Sequence, residues 1–183
     1  MLAAARHFKE AGAWLQEPDR RKAEGRLWNF MRLSELLQPN QIIPSLAATT
    51  KKEALTELAS CLVPGPEGLE LQQVVEVLME RERLGSTGIG DHVAIPHGKL
   101  PQLKGLRLAF GRSLKGVEFD SVDGKPSHLF FLLLAPINSA GLHLKALAKI
   151  SRLLMNPAIR ESLMQATQAQ EIYQLLLAQD EEF

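Results

Sequence analysis

Arg81-Glu82-Arg83-Leu84-Gly85-Ser86-Thr87-Gly88-Ile89-Gly90-Asp91-His92-Val93-Ala94-Ile95-Pro96-His97-Gly98-Lys99-Leu100 is the stretch on which the reading of this chain turns. It leaves a charged helix end, crosses a glycine-punctuated loop and enters the β-prone run Val93-Ala94-Ile95. Proline fixes φ and cannot donate to a ladder, so Pro96 is expected to end that strand. Gly98 is expected to let the chain turn sharply after the histidine. His97 would then sit at a strand end, where open α/β sheets place their reacting groups.

Upstream of this stretch, Leu71, Val74, Val75, Val77 and Leu78 recur at helical spacing, and Glu80-Arg81-Glu82-Arg83 reads as the polar end of that helix. Thr50-Lys51-Lys52-Glu53 has the form of a capping box, opening a helix through Ala54, Leu55, Leu58, Ala59 and Leu62. Pro64-Gly65-Pro66 separates the two. Further back, Leu33, Leu36 and Leu37 make a short apolar face that Pro39 ends, and Ile42-Ile43 is a brief extended piece.

Downstream, Leu106 to Phe110 and Val117 to Val122 read as strands, the second leading into an Asp123-Gly124 turn. Leu129-Phe130-Phe131-Leu132-Leu133-Leu134-Ala135 is continuously apolar, as a central strand covered on both faces would be. A long helix follows on Leu142, Leu144, Leu147, Ala148, Ile150, Leu153 and Leu154. Asn156-Pro157 resets the chain into Ile159 to Met164. Thr167-Gln168-Ala169-Gln170 matches a second capping box, before a last helix with Ile172, Tyr173, Leu175 and Leu176 inward. Helices before, between and after strands predict a layered α/β domain.

The chain of 183 residues balances 21 Lys and Arg against 21 Asp and Glu, which gives no basic excess for a nucleic-acid partner. The single Cys61 can form no internal disulfide, and its apolar helical setting predicts a buried structural thiol. No apolar run approaches the roughly 18 residues of a membrane span, so no membrane insertion is expected and a cytoplasmic setting fits. Residues 1–30 differ from the rest: charges of both signs are mixed, and Trp14 and Trp28, the two tryptophans of the protein, fall there. They read as an N-terminal extension, disordered or an overlong start, or else an arm docked on the domain or a partner. The domain proper is taken as 31–183.

The loop Gly85-Ser86-Thr87-Gly88-Ile89-Gly90 runs from helix to strand, opposite to a dinucleotide fingerprint, and no Walker lysine follows it. A tight loop aiming N–H groups at an anion is the better reading, with Gly85, Ser86, Thr87 and Gly88 as its phosphate-binding residues. His97 is the candidate base or nucleophile, although on spacing alone a lone histidine serves structure as readily as chemistry. His143 opens the helix after the central strand and Arg81 ends the helix before the loop, so both are placed to meet His97 at one sheet edge. Two imidazoles and a guanidinium suit an anion, and no third ligand is spaced for a metal. His7, His92 and His128 read as surface or loop residues, with His92 near enough to modulate His97.

Gly85-Ser86-Thr87-Gly88-Ile89-Gly90 followed by Ala94-Ile95-Pro96-His97-Gly98-Lys99 resembles the type-2 enzyme IIA domain, the fructose–mannitol class, of the bacterial phosphoenolpyruvate-dependent phosphotransferase system, and within it the nitrogen-regulatory branch. Leu33-Ser34-Glu35-Leu36-Leu37 and His143-Leu144-Lys145-Ala146-Leu147-Ala148 extend the likeness over about Met31 to Ala178. The resemblance implies a mixed β-sheet sandwiched between helices in three layers. It implies that His97 accepts a phosphoryl group from an HPr-like phosphocarrier, with Arg81 and His143 holding that group. No cofactor is needed, neither ATP nor a redox group. The expected role is a phosphoryl carrier that regulates target proteins by its phosphorylation state. The alternatives are a sugar-specific IIA passing phosphate to a IIB partner, and a binding module that has lost transfer. Asp91-His92 departs from the family pattern, either weakening anion affinity or facing solvent.

Overall fold

The computed structural model describes residues 32–65 and 67–179; the expectations for residues 1–30 and for a solvated tail at 180–182 lie outside the described residues. Helix α1 (Leu33–Leu36) leads through a 3-10 turn at Pro39–Gln41 into β1 (Ile42–Ile43). Helices α2 (Lys51–Ser60) and α3 (Leu71–Arg83) follow, then β2 (Gly88–Gly90), β3 (Val93–Ala94) and β4 (His97–Leu100). The long strands β5 (Arg107–Val117) and β6 (Ser127–Pro136) precede α4 (Ala140–Met155), α5 (Pro157–Gln165) and α6 (Ala169–Ala178).

Among the described residues six strands form one mixed sheet in the order β1-β5-β6-β3-β2, with β4 also paired to β6. The pairs β5/β6 and β2/β3 are antiparallel, whereas β1/β5, β3/β6 and β4/β6 are parallel. The apolar run becomes β6, the strand both halves share, and Leu129 to Ala135 are fully or almost fully buried. Its side chains alternate. Phe130, Leu132 and Leu134 join Ala109 in a core with Leu55, Leu58 and Leu62 of the α2 region and Val74, Val75 and Leu78 of α3. Phe131 faces the other way, edge-on to Phe110 at 4.9 Å between centroids. Helices α5 and α6 cover the sheet beside these strands. The result is the layered α/β domain that the element order predicts, with the mixed sheet between helices that the resemblance implies.

The local signals explain most element ends. Thr50 Oγ1 accepts the Glu53 amide, and the Glu53 carboxylate accepts the amides of Thr49 and Thr50 at 2.9 and 3.0 Å. Those bonds hold the Glu53 carboxyl down at about 2. Asn156 caps α5 through the Ala158 amide, with Pro157 in the first turn.

Several expectations need correction. Pairing resumes after Pro96: Val93 faces Leu129 and His97 faces Leu133, so β3 and β4 keep one register on β6 across the Ile95-Pro96 gap. Gly98 is therefore strand and not turn; it is small because Val77 of α3 lies against it. Val117 ends β5, and beyond the isolated bridge at Glu118 the segment toward Val122 forms no strand; Gly124 N–H closes a turn on Ser121 instead. The second capping box is shifted by one: Glu171, not Gln170, reaches back to the amide and hydroxyl of Thr167. In α4 the inward stripe is His143, Ala146, Ile150, Leu153 and Leu154, while Leu142 and Leu144 are exposed. Cys61 is only half-buried; burial raises its thiol pKa. Among the described residues no helix is long and apolar enough to cross a membrane.

Candidate functional site

Three elements deliver one side chain each. His97 is the first residue of β4, which among the described residues pairs only with β6. Its neighbour Gly98 faces α3, so by strand alternation His97 faces the opposite side, toward α4. His143 stands in the first turn of α4 on the same helical stripe as buried Ala146 and Ile150, and is itself buried. Arg81 comes from the last turn of α3. The His97 and His143 rings lie 5.3 Å apart between centroids, tilted by 57°. Arg81 Nε lies 3.1 Å from His97 Nε2.

The hydrogen bonds fix the tautomer of His97. Its Nδ1 is 2.8 Å from the carbonyl oxygen of Ile95. A carbonyl only accepts, so Nδ1 carries the proton. Arg81 Nε–H donates to Nε2, which must then offer its lone pair. The ring is neutral, with its basic nitrogen turned toward a guanidinium. Burial pushes the His97 pKa below the ordinary histidine value; the Ile95 carbonyl pulls it back up and Arg81 adds to the lowering. His143 is also lowered, first by burial and then by repulsion from His97 were that ring to protonate, and from Lys99 and Arg81. His143 Nε2 is buried without a hydrogen-bond partner. A buried polar atom so left costs on the order of 1–3 kcal/mol unless something arrives to meet it.

The glycine loop does different work from that expected. The Gly85 amide donates to the Glu82 carbonyl, the Thr87 amide to the Glu82 carboxylate, and the Gly88 amide to Ser86 Oγ. Ser86 Oγ itself donates to the Phe119 carbonyl at 2.7 Å. Gly85 contributes a carbonyl, which accepts from Arg81 Nη1 at 2.8 Å. Three of the four residues assigned to a phosphate cradle thus have their amides engaged within the protein, and the loop holds Arg81 in place.

Of the other histidines, His92 is the exposed turn residue expected, whereas His128 is not. His92 does not approach His97; it packs edge-on against His128 at 5.1 Å, with its Nδ1 2.9 Å from the Pro126 carbonyl oxygen. His128 is a half-buried residue of β6, not a loop residue, and its Nδ1 meets the Ser113 carbonyl. Asp91 forms an ion pair with Arg160 of α5 at 3.4 Å. His7 lies outside the described residues. Among the described residues no group of three or more His, Cys, Asp or Glu side chains is arranged to hold a metal ion.

Two nearby side chains escaped the sequence reading. Lys99 is two residues beyond His97 in β4, hence on the same strand face, and period-two alternation would have found it. Glu82 is buried. It lies four residues after Leu78 and so on the apolar stripe of α3, a position where a carboxylate is out of place unless it has partners.

A mixed sheet between helices thus carries a neutral imidazole set against a guanidinium, with a second imidazole beside it, which defines an α/β domain whose site is built to meet an anion. Residues 35–179 match the model of the phosphoenolpyruvate-dependent sugar phosphotransferase system EIIA 2 family, and the chain belongs to that family. It is 44% identical over 146 residues to a nitrogen regulatory protein of Bradyrhizobium diazoefficiens, covering 80% of this chain and 95% of that relative. The crystal structure of nitrogen regulatory protein IIA-Ntr from Neisseria meningitidis superposes with a TM-score of 0.74 at 39% identity, covering 79% of this chain and 98% of that one. The mannitol enzyme IIA of Escherichia coli, in complex with phosphorylated mannitol enzyme IIB, gives a TM-score of 0.65 at 25% identity, covering 78% and 97%. The protein is a phosphotransferase-system IIA protein of the phosphocarrier and regulatory kind.

Proposed function

We propose that this protein takes a phosphoryl group onto Nε2 of His97 from an HPr-like phosphocarrier, and that the phosphorylated and free forms dock differently on target proteins in the cytoplasm. The observation that carries the reading is the His97 ring itself, with its proton held on Nδ1 by Ile95 and its lone pair on Nε2 beside Arg81. In the transfer, the Nε2 lone pair forms the new N–P bond while the donor's N–P bond breaks. The bonding pair returns to the donor ring, and Nδ1 keeps its proton throughout. Little covalent work is left for the protein beyond placing charge around the equatorial oxygens. Arg81 Nε–H moves from Nε2 to those oxygens, and the unpartnered His143 Nε2 gains a partner as a proton or hydrogen bond is shared with them.

Exposed Leu84, next to the Arg81 helix end, and exposed Leu142 and Leu144, flanking His143 in sequence, offer an apolar rim for the phosphocarrier. The phosphohistidine adds about −1.5 to −2 charges to this rim, which changes the partners it accepts. The similarity to nitrogen regulatory proteins supports regulation as the output. The likeness to a mannitol IIA in complex with phosphorylated IIB supports a second reading, in which a IIB subunit takes the group onward.

Incubation with radiolabelled HPr-like phosphocarrier, followed by candidate IIB proteins, tests both. The regulatory reading expects label on this protein that is labile to acid, stable to base and retained in the presence of IIB. Rapid onward transfer would favour the sugar-specific role. A protein that takes no label is a binding module instead.

A further inference from the structure

Glu82 sits one residue after Arg81 and is buried, its side chain only 3% exposed. Both of its carboxylate oxygens accept the Thr87 amide at 3.2 Å, and one also accepts the Thr87 hydroxyl. Lys51 Nζ of α2 closes the remaining side at 3.2 Å, braced over the Phe119 ring and against Asp120. From Thr87 the path continues. The Thr87 carbonyl accepts the Ile95 amide at 3.0 Å, and the Ile95 carbonyl accepts His97 Nδ1–H at 2.8 Å. A buried carboxylate is thereby joined, through Thr87 and the Ile95 peptide, to the ring nitrogen that decides the tautomer. On the other side, the Gly85 amide bonds the Glu82 carbonyl, and the Gly85 carbonyl holds Arg81 Nη1.

We propose that Glu82 is the positioning residue for His97: its carboxylate anchors Thr87, and so sets the Ile95 carbonyl that keeps the proton on Nδ1 and the lone pair on Nε2. The inference deepens the reading of His97 as phosphoryl acceptor and rests on it. Burying a carboxylate with its lysine is a weak route to stability, since apolar residues of the same size often do as well. Here the arrangement has a use beyond stability. A neutral ring released from Ile95 is free to protonate Nε2, and such a ring presents a hydrogen to phosphorus where a lone pair is required.

The test uses the full chain carrying Glu82→Gln and, separately, Thr87→Val. The imidazole 15N shifts of His97 read the tautomer without any phosphocarrier present, and transfer kinetics from an HPr-like donor are measured alongside. Glu82→Gln is expected to unfold cooperatively, to show protonated Nε2 at His97, and to lose about 10-fold or more in kcat with KM little changed. Thr87→Val keeps the amide but not the hydroxyl, and is expected to move the tautomer and the rate the same way by less. A folded Glu82→Gln protein with wild-type ring shifts and wild-type kcat overturns the proposal. Should Glu82→Gln fail to fold, Thr87→Val decides: wild-type shifts and rate in that variant overturn it equally. If wild-type protein accepts no phosphoryl group while the variants still shift the tautomer, the positioning role stands and the transfer reading is what fails.

Discussion

Gly98 and Val77 stand so close that a Cβ on residue 98 would lie 2.9 Å from Val77 Cγ1. That contact sets how deep β4 seats against α3, and so where His97 is held relative to Arg81. Valine is stiff in a helix and cannot swing its methyl away. Gly98→Ala is expected to destabilise the fold by about 1–3 kcal/mol, read from urea unfolding. Adding Val77→Ala should recover part of that loss. Additive losses in the double variant would mean that the two residues do not share this contact.

Arg81 is bonded at two points: Nε to His97 Nε2 and Nη1 to the Gly85 carbonyl. Arg81→Ala removes both and is expected to slow phosphoryl transfer by ~10² or more, the scale for losing a charged donor at a transferring group. Arg81→Lys keeps the charge but not the fork, so it should recover only part of the rate. Single-turnover transfer measurements distinguish these, and wild-type rates in both would remove Arg81 from the site.

His143→Ala takes away the buried, unpartnered Nε2. Because that atom is costly in the free protein, the variant is expected to be no less stable than a similar truncation elsewhere in α4, yet to lose its phosphohistidine faster. The hydrolysis half-life of the phosphorylated protein checks the second point.

Burial holds both His97 and His143 below the ordinary histidine value of 6.5. Below that value the unfolded chain takes up protons that the folded protein refuses, so stability must fall as pH drops from 6.5 toward the folded-state pKa values. Above it the effect vanishes. Urea midpoints of wild type are therefore expected to fall between about pH 7 and pH 5 more steeply than those of a His97→Gln, His143→Gln variant. Equal slopes would mean that neither ring is held neutral by its surroundings.

Much of this was legible in the chain. Helical spacing located α2, α3 and α4, the continuous apolar run from Leu129 located the shared strand, and Thr50 with Glu53 announced a cap that the bonds then make. Arg81, His97 and His143 could be placed at one edge from the order of elements, and the family motif joined them. What stayed hidden depended on partners far along the chain. A strand that resumes after Pro96 is invisible locally, because its pairing comes from β6. His128 reads as a loop residue until β6 is seen to begin at Ser127. Glu82 looks like one more charge at a polar helix end, and only the return of the loop at Thr87, with Lys51 from α2, makes it an interior group. The loop glycines suggested free amides, but the fold turns those amides back on Glu82 and Ser86.

The central claim is that a neutral imidazole at position 97, with its lone pair on Nε2, receives the phosphoryl group. Protein labelled with 15N at histidine and phosphorylated by an HPr-like donor can be read by 31P–15N NMR. A phosphorus coupled to Nε2 of His97, absent from His97→Ala, is the expected result. A phosphoryl group on any other residue, or none at all with an active donor, would contradict the account.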